Sequence, residues 1–230
     1  MDISGLTTPV SAISISLAAR DNKMRTSQWL LMVMLGTLLG GCATTQDLSD
    51  EDRKKISVVR INSNVQKAPN MYYLGPGTAA LTAFGAVGGA IAYGASVEPA
   101  KVLQDFIEKN GISIEKIAFQ EIDAAIRQSG KLKVSDSGDE TTPTINVLVF
   151  IYGFSVPHGF SSNLLPSVAI RCQMVDAAGK VIWSAQDHVL PVRNPAAPMS
   201  LEAMRKDPKR IEDAWRKAAR RIAGNIAKTL

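Results

Sequence analysis

An apolar run near the start of the chain most constrains what this sequence can fold into. Residues 29–38 are almost wholly apolar, follow the basic side chain of Arg25 and lead through two glycines to Cys42. A secretory signal begins with a short positive region, continues with an apolar stretch of about 7–15 residues and ends with small residues at its cleavage site. The run is shorter than the roughly 20 apolar residues that a membrane-spanning helix needs. We therefore expect residues 1–41 to be a signal peptide outside the folded domain.

Residues 1–23 precede this signal and do not fit its pattern, because they place a Ser/Thr-rich stretch before the basic region. Translation that begins at Met24 would remove the discrepancy, since the basic region then stands first. The alternative is a signal with an unusually long leader.

The residues at the cut, Leu39-Gly40-Gly41-Cys42, resemble the lipobox of bacterial lipoproteins. The resemblance implies cleavage between Gly41 and Cys42, a diacylglyceryl group on the Cys42 sulfur, and an acyl group such as palmitate on the new amine. Each buried CH2 would contribute about 0.8 kcal/mol to membrane binding, so several chains make a lasting anchor. Ala43, rather than Asp, follows the cysteine and implies the outer membrane, facing the periplasm. An uncleaved anchor helix is the alternative.

The positive charge of the chain is concentrated near its C-terminus. The formal net charge is +5, and residues 202–228 alone carry nine Lys or Arg against four Asp or Glu. We interpret this excess as the solvated face of a helix, with contact to anionic lipid as the alternative. Nucleic acid is not expected as a partner of an exported protein. With Cys42 lipidated, Cys172 has no disulfide partner and should behave as a small buried hydrophobe.

The uncharged, Gly/Ala-rich segment at residues 74–97 is the least ordinary part of the chain. Gly85 and Gly89 stand in a GxxxG spacing, and Tyr93 lies near the end of the segment. Small residues let helices approach closely in lipid, and Tyr favours the membrane interface. Three alternatives remain open: a loop-and-helix insertion of a soluble domain, a membrane-contacting or oligomer-forming segment, and a single membrane span.

The hydrophobic patterns of the rest of the chain predict one α+β domain over residues 56–230, preceded by a polar, lipidated tether at residues 42–55. Strands are expected to alternate with helices that carry a stripe of apolar residues at three and four spacing. This order predicts a two-layer fold, with a mixed or antiparallel sheet covered by helices and the 74–97 insertion after the first strand. The predicted strands are 56–61, 132–134, 145–154, 168–175 and 180–189. The predicted helices are 98–110, 113–130 and a last one that Asp207 caps, with Pro208 at its first position and core-facing residues from Ile211 to Ile226.

The hairpin at residues 175–183, followed by a basic C-terminal helix, resembles an arrangement in small periplasmic lipoproteins. These include the penicillin-binding-protein activators and the N-terminal part of curli-secretion lipoproteins. The motif itself, Asp176 and Gly179-Lys180 before an apolar pair and Trp183, is mostly good hairpin chemistry. No partner-binding residues are carried over from these families, because the insertion at 74–97 departs from them.

No pattern of catalytic or metal-binding residues stands out. His158 and His188 lack the ordered spacing of a zinc site. Ser161 lacks the second glycine of a nucleophile elbow. We therefore expect no enzyme activity, metal or cofactor, and a membrane-anchored envelope lipoprotein that acts as a non-catalytic binding or assembly module. Its partners would be the membrane, through lipid on Cys42, and an unidentified envelope protein. The alternative is a homo-oligomeric subunit of a secretion or pore assembly, with residues 74–97 contacting the membrane.

Overall fold

The computed structural model describes residues 45–77, 84, 98–137, 139, 141–159, 161–192, 194 and 196–230. These residues belong to the compact unit Thr44–Leu230. The helices are α1 (Asp50–Lys55), α2 (Pro99–Lys109), α3 (Ile114–Ser129), α4 (Leu201–Lys206) and α5 (Lys209–Ala227). The strands are β1 (Val58–Ile61), β2 (Gln66–Lys67), β3 (Tyr72–Leu74), β4 (Lys133–Val134), β5 (Thr144–Ser155), β6 (Asn163–Val175), β7 (Val181–Val189) and β8 (Met199–Ser200).

The eight strands form one mixed, open sheet in the order β4-β1-β5-β6-β7. β1, β2 and β3 follow one another along the same side of β5, all parallel to it. β6 is antiparallel to both β5 and β7, and β8 continues beside β6 beyond the end of β7. The predicted α+β class with a mixed sheet is therefore confirmed. We call the two ends of the sheet the Ser155 end, where β5 stops, and the hairpin end, where β6 turns into β7.

The core lies between one face of this sheet and the helices α3 and α5. Alternate residues of β5 and β6 point into it, so that Val147 pairs with Cys172 and Val149 with Ile170. At the Ser155 end, Trp215 of α5 stacks on Phe154 with ring centroids 5.6 Å apart. The apolar stripes that the sequence shows on both helices are buried here because only these stripes face the sheet.

Local sequence signals set the helix ends. The side chain of Ser113 accepts a hydrogen bond from the Lys116 N–H, and Gly130 ends α3 at φ 64°. Both positions were predicted, and Pro99 opens α2 as expected. The prediction for the last helix was wrong in detail, because Pro208 is its N-cap and no side chain caps it.

The polar segment before β1 also differs from the sequence prediction. A tether of this composition was expected to bury nothing, yet Leu48 is only 4% exposed and residues 50–55 form α1. The short elements β2, β3, β8 and α4 were not predicted either. Strands of two or three residues carry too few side chains to show a period in sequence, and they exist because β5 and β6 offer free hydrogen-bonding edges.

Candidate functional site

The residues that the sequence singled out as sites lie outside the described part of the chain. This holds for the cleavage pair Gly41 and Cys42 and for the contact residues Gly85, Gly89 and Tyr93. Lipidation at Cys42 and contact through residues 74–97 therefore stay predictions. The described residues that border these two segments show where each one joins the fold.

The segment that follows Cys42 is attached to the edge of the sheet. Gln46 forms an antiparallel bridge to Ser184 of β7, with N···O distances of 2.7 and 2.9 Å for the two backbone hydrogen bonds. Two residues later the Leu48 side chain is buried in the core. The edge of β7 would otherwise expose its unpaired backbone groups, so this pairing also covers part of an open edge.

Hydrogen bonds from helix α1 also hold the same segment against Leu230. Ser49 caps α1 by accepting a hydrogen bond from the Asp52 N–H at 3.0 Å. The Arg53 guanidinium donates to the main-chain oxygens of Leu230 and Leu48. Lys131 donates to the Leu230 oxygen as well, at 3.2 Å. Residues 46–55 are thus part of the folded domain and not a free linker.

The segment 74–97 leaves the sheet at β3, beside the end of β5. Tyr72, Tyr73 and Leu74 pair in parallel with Gly153, Phe154 and Ser155. Tyr72 is 44% exposed and Leu74 is 56% exposed, and with Val192, at 81%, they are the exposed large apolar side chains among the described residues. All three lie at the Ser155 end, since Val192 follows the last residue of β7. Large apolar side chains that share one end of a domain mark a contact surface more often than scattered ones do.

Close backbone contact holds β3 in this place. Gly153 has φ 146°, and a Cβ atom there would lie 1.8 Å from the carbonyl oxygen of Tyr72. Only glycine therefore allows β3 to pair at this point. The Tyr73 hydroxyl donates to the Pro76 carbonyl at 2.9 Å and shapes the exit of the chain. Burial raises the pKa of Tyr73 to about 12, so this hydroxyl stays protonated at neutral pH.

A charged cluster joins β2 to α2 and α3. The Lys67 ammonium lies 2.9 Å from a Glu115 carboxylate oxygen and 3.6 Å from a Glu108 one. Burial alone would raise the pKa of Glu115, but the hydrogen bonds from Lys67 and its own helix N-terminus leave it below its usual value. The Tyr152 hydroxyl nearby is buried and has no hydrogen-bond partner, and burial raises its pKa. Lys67 pairs with both carboxylates, so the cluster joins β2, α2 and α3.

A second charged cluster joins α3 to α5. Glu121 is buried, and its carboxylate accepts hydrogen bonds from Arg216 at 3.1 Å and from Arg220 at 2.8 Å. Arg216 also bonds Glu212 at 2.7 Å. Two arginines of α5 thus hold the buried carboxylate of α3, which makes the cluster a structural element.

A polar cavity of about 410 Å3 opens where β1, β4 and α3 meet. Arg60, Asp123 and Asp136 line it with Phe119. Arg127 bonds both carboxylates, at 2.9 Å to Asp123 and 2.5 Å to Asp136. Arg60 donates to the Thr144 hydroxyl at 3.1 Å. Both carboxylates that line this cavity are thus paired with Arg127, and Arg60 is bonded to Thr144.

Cys172 is shielded by the core, and the two histidines lie in different parts of the fold. Cys172 is fully buried, and burial raises its thiol pKa to about 12, which removes the reactive thiolate. His158 and His188 are exposed, in a loop and on β7. Asp187, next to His188, instead accepts a hydrogen bond from Asn225 of α5 at 2.8 Å. Within the described ranges, no three His, Cys, Asp or Glu side chains are grouped to hold a metal ion. Among the helices described, none is long and apolar enough to cross a membrane.

Comparison with known proteins gives only distant likenesses. No family model matches the chain, and no curated protein matches it. A protein of the DUF330 family from Xanthomonas campestris is 15% identical, with a TM-score of 0.35, over 50% of this chain and 61% of that one. The PelC dodecamer from Paraburkholderia phytofirmans is 10% identical, with a TM-score of 0.37, over 81% and 94%. A lipoprotein from Neisseria meningitidis is 17% identical, with a TM-score of 0.22, over 58% and 81%. At these scores the likenesses assign no function to this chain.

Proposed function

We propose that this chain is a lipid-anchored protein of the bacterial cell envelope, held on the periplasmic face of the outer membrane, where it acts as a non-catalytic binding or assembly module. The observation that carries the proposal is the attachment of Gln46 to β7, four residues after the cysteine of the lipobox-like motif. Four residues span at most about 14 Å when fully extended. Lipid on Cys42 would therefore hold the folded domain close to the membrane, with little freedom to turn.

The polar chemistry of the described residues favours binding over catalysis. The first charged cluster holds three structural elements together and the second holds two, and their carboxylates are already paired with Lys67, Arg216 or Arg220. A catalytic site instead needs a base within hydrogen-bond reach of a reacting group in an open pocket. Among the described residues, the Cys172 thiol is shielded from solvent by the core.

The mass of the intact protein, purified from membranes, tests the anchor. We expect residues 42–230 plus an acylated diacylglyceryl group, and the loss of both cleavage and lipid in Cys42→Ser. The matched control is Cys172→Ser, which removes the other cysteine of the chain and should keep the lipid. A wild-type mass that includes residues 24–41 and no lipid would overturn the proposal.

An oligomeric subunit of a secretion or pore assembly is the second candidate. It is favoured by the exposed Tyr72 and Leu74, which stand where the GxxxG-containing segment leaves the sheet. Light scattering in detergent measures the number of copies directly. A single copy in the detergent particle argues against this candidate, and a defined multimer that a Leu74→Ser variant dissociates supports it.

A further inference from the structure

We propose that the Ser155 end of the sheet rests on the lipid bilayer, with Tyr72, Leu74 and Val192 at the membrane surface. The strands would then stand roughly along the membrane normal, and the β6–β7 hairpin turn would point away into the periplasm. This orientation deepens the proposed function and rests on it, because the lipid on Cys42 brings the domain to the membrane. Three independent features of the described residues lead to the same end of the sheet.

The first feature is the direction of the chain at Gln46. β7 runs from the hairpin end at Val181 to the Ser155 end at Val189. Gln46 pairs with Ser184 in antiparallel fashion. The chain therefore approaches Gln46 from the side of Val189 and leaves it toward the hairpin end, where α1 and Leu230 meet. Cys42 precedes Gln46 by four residues in the sequence, so a lipid on Cys42 would be joined to the domain through the part of the chain that arrives at Gln46.

The second feature is the position of the exposed apolar side chains. Leu74 pairs with Ser155 at the last position of β5, and Val192 lies beyond the last residue of β7. The hairpin turn at the opposite end consists of Asp176, two alanines, Gly179 and Lys180, and it carries no large apolar side chain. A bilayer interface receives Tyr and aliphatic side chains favourably, and the hairpin turn offers none of them.

The third feature is the way in which the uncharged segment joins the fold. It leaves the sheet at Leu74 and re-enters the described chain at α2. The Met71 N–H donates to Gln104 at 3.2 Å, whereas Lys67 lies beside Glu108, so α2 runs antiparallel to β2 and β3. The start of α2 is therefore about 7.5 Å further toward the Ser155 end than Gln104, given the helical rise per residue. Leu74, at the start of the 24 uncharged residues, and the first turn of α2, which follows them in the sequence, thus lie toward this one end.

The distribution of exposed charge does not distinguish the Ser155 end of the sheet from the hairpin end. Arg205, Lys206 and Lys209 are exposed near the Ser155 end, where α4 and α5 follow β8, and Lys131 and Lys180 are exposed at the hairpin end. Anionic headgroups would accept either set. The orientation therefore follows from the chain direction and the apolar side chains, and a second copy of the chain is the competing occupant of the same surface.

Site-directed fluorescence on the lipidated full chain tests the orientation. The chain suits this method, because Cys42 is blocked by lipid and the Cys172 thiol is buried. An environment-sensitive thiol fluorophore is placed at Leu74→Cys and at Val192→Cys, with Ala178→Cys in the hairpin turn as the matched control. Each protein is reconstituted in vesicles of phosphatidylethanolamine and phosphatidylglycerol that contain a lipid with a nitroxide on its headgroup.

We expect residues 74 and 192 to lose most of their fluorescence and residue 178 to keep it. Equal quenching at all three residues, or stronger quenching at 178, would overturn the orientation while leaving the anchor intact. An intact mass without lipid would overturn the anchor and the orientation together. A probe at 74 that is quenched by a nitroxide on other protein copies, and not by the labelled lipid, would assign the surface to a second copy and overturn the proposal.

Discussion

Replacement of Gly153 by alanine should detach β3 from the sheet. Gly153 faces Tyr72 across the β3–β5 pairing, and the added Cβ would lie 1.8 Å from the Tyr72 carbonyl oxygen and 2.8 Å from its carbonyl carbon. The obstructing atoms belong to the backbone, so no side-chain rotation relieves the clash. The φ of 146° adds strain, because residues with a side chain rarely adopt it.

The decrease in the free energy of unfolding can be worked out from the contacts that β3 loses. A backbone conformation that only glycine tolerates costs about 1–3 kcal/mol when another residue is forced into it. If β3 instead moves away, its hydrogen bonds are lost at about 1 kcal/mol each, including the 2.8 Å bond from the Val156 N–H to the Leu74 oxygen. Met71, which is 3% exposed, would lose part of a burial free energy of about 1.5–3 kcal/mol. Either route lowers the free energy of unfolding by about 3 kcal/mol.

Urea unfolding followed by tryptophan fluorescence measures this loss. Trp215 is a built-in reporter, because its indole N–H donates to the Gly153 carbonyl at 3.3 Å. With a denaturant slope of about 2 kcal/mol per molar, the midpoint should fall by roughly 1.5 M urea. Gly159→Ala is the matched control, since nothing lies within 4 Å of its added Cβ, and it should change the midpoint very little. A Gly153→Ala midpoint equal to that of the control would refute the steric reasoning.

Three further predictions concern the buried polar groups. Glu121→Gln should lower the free energy of unfolding by about 1–2 kcal/mol, because two arginines lose their charged acceptor, whereas Glu51→Gln on the exposed face of α1 should leave the urea midpoint unchanged. The pKa of Glu115 is lower in the folded chain than the ordinary glutamate value of about 4.3. The ionised carboxylate therefore stabilises the fold above about pH 4.3, and this stability is lost as pH falls through the pKa of the folded state. Urea midpoints measured between neutral and acidic pH should therefore fall less in Lys67→Met than in the wild type, and parallel curves would contradict the pairing. Cys172 should resist thiol reagents in the folded chain and react on unfolding in urea, and rapid labelling without denaturant would disprove its burial.

Long elements were predictable because their signals are local. The stripe of α3, its Ser113 cap and its terminal Gly130 lie within a few residues of one another, and helix formation depends on these nearby contacts. β5 is recognisable for a similar reason, since a buried central strand is a continuous apolar run. The hairpin turn before Lys180 follows from Asp176, which accepts from the Ala178 and Lys180 N–H groups, and from Gly179 at φ 78°.

The short elements and the attached N-terminal segment were not predictable in this way. The composition of residues 43–55 indicates a solvated linker, and only the free edge of β7 gives Gln46 a partner, 138 residues further along the chain. Likewise nothing around Gly153 in sequence shows that Tyr72 will pass within contact distance of it. Such pairings depend on which strand edges the folded sheet leaves open.

The sequence alone predicted the export signal and the lipobox-like motif, which stay predictions, and the α+β class, which the structure confirms, because each rests on residues close together in the chain. The tertiary structure decided how the elements of the unit Thr44–Leu230 lie relative to one another. It placed Tyr72, Leu74 and Val192 at one end of the sheet and directed the chain at Gln46 away from that end. Sequence separation carries no information on these distances, since they are set by the pairing of β3, β5, β6 and β7 and by the packing of α3 and α5 beneath them.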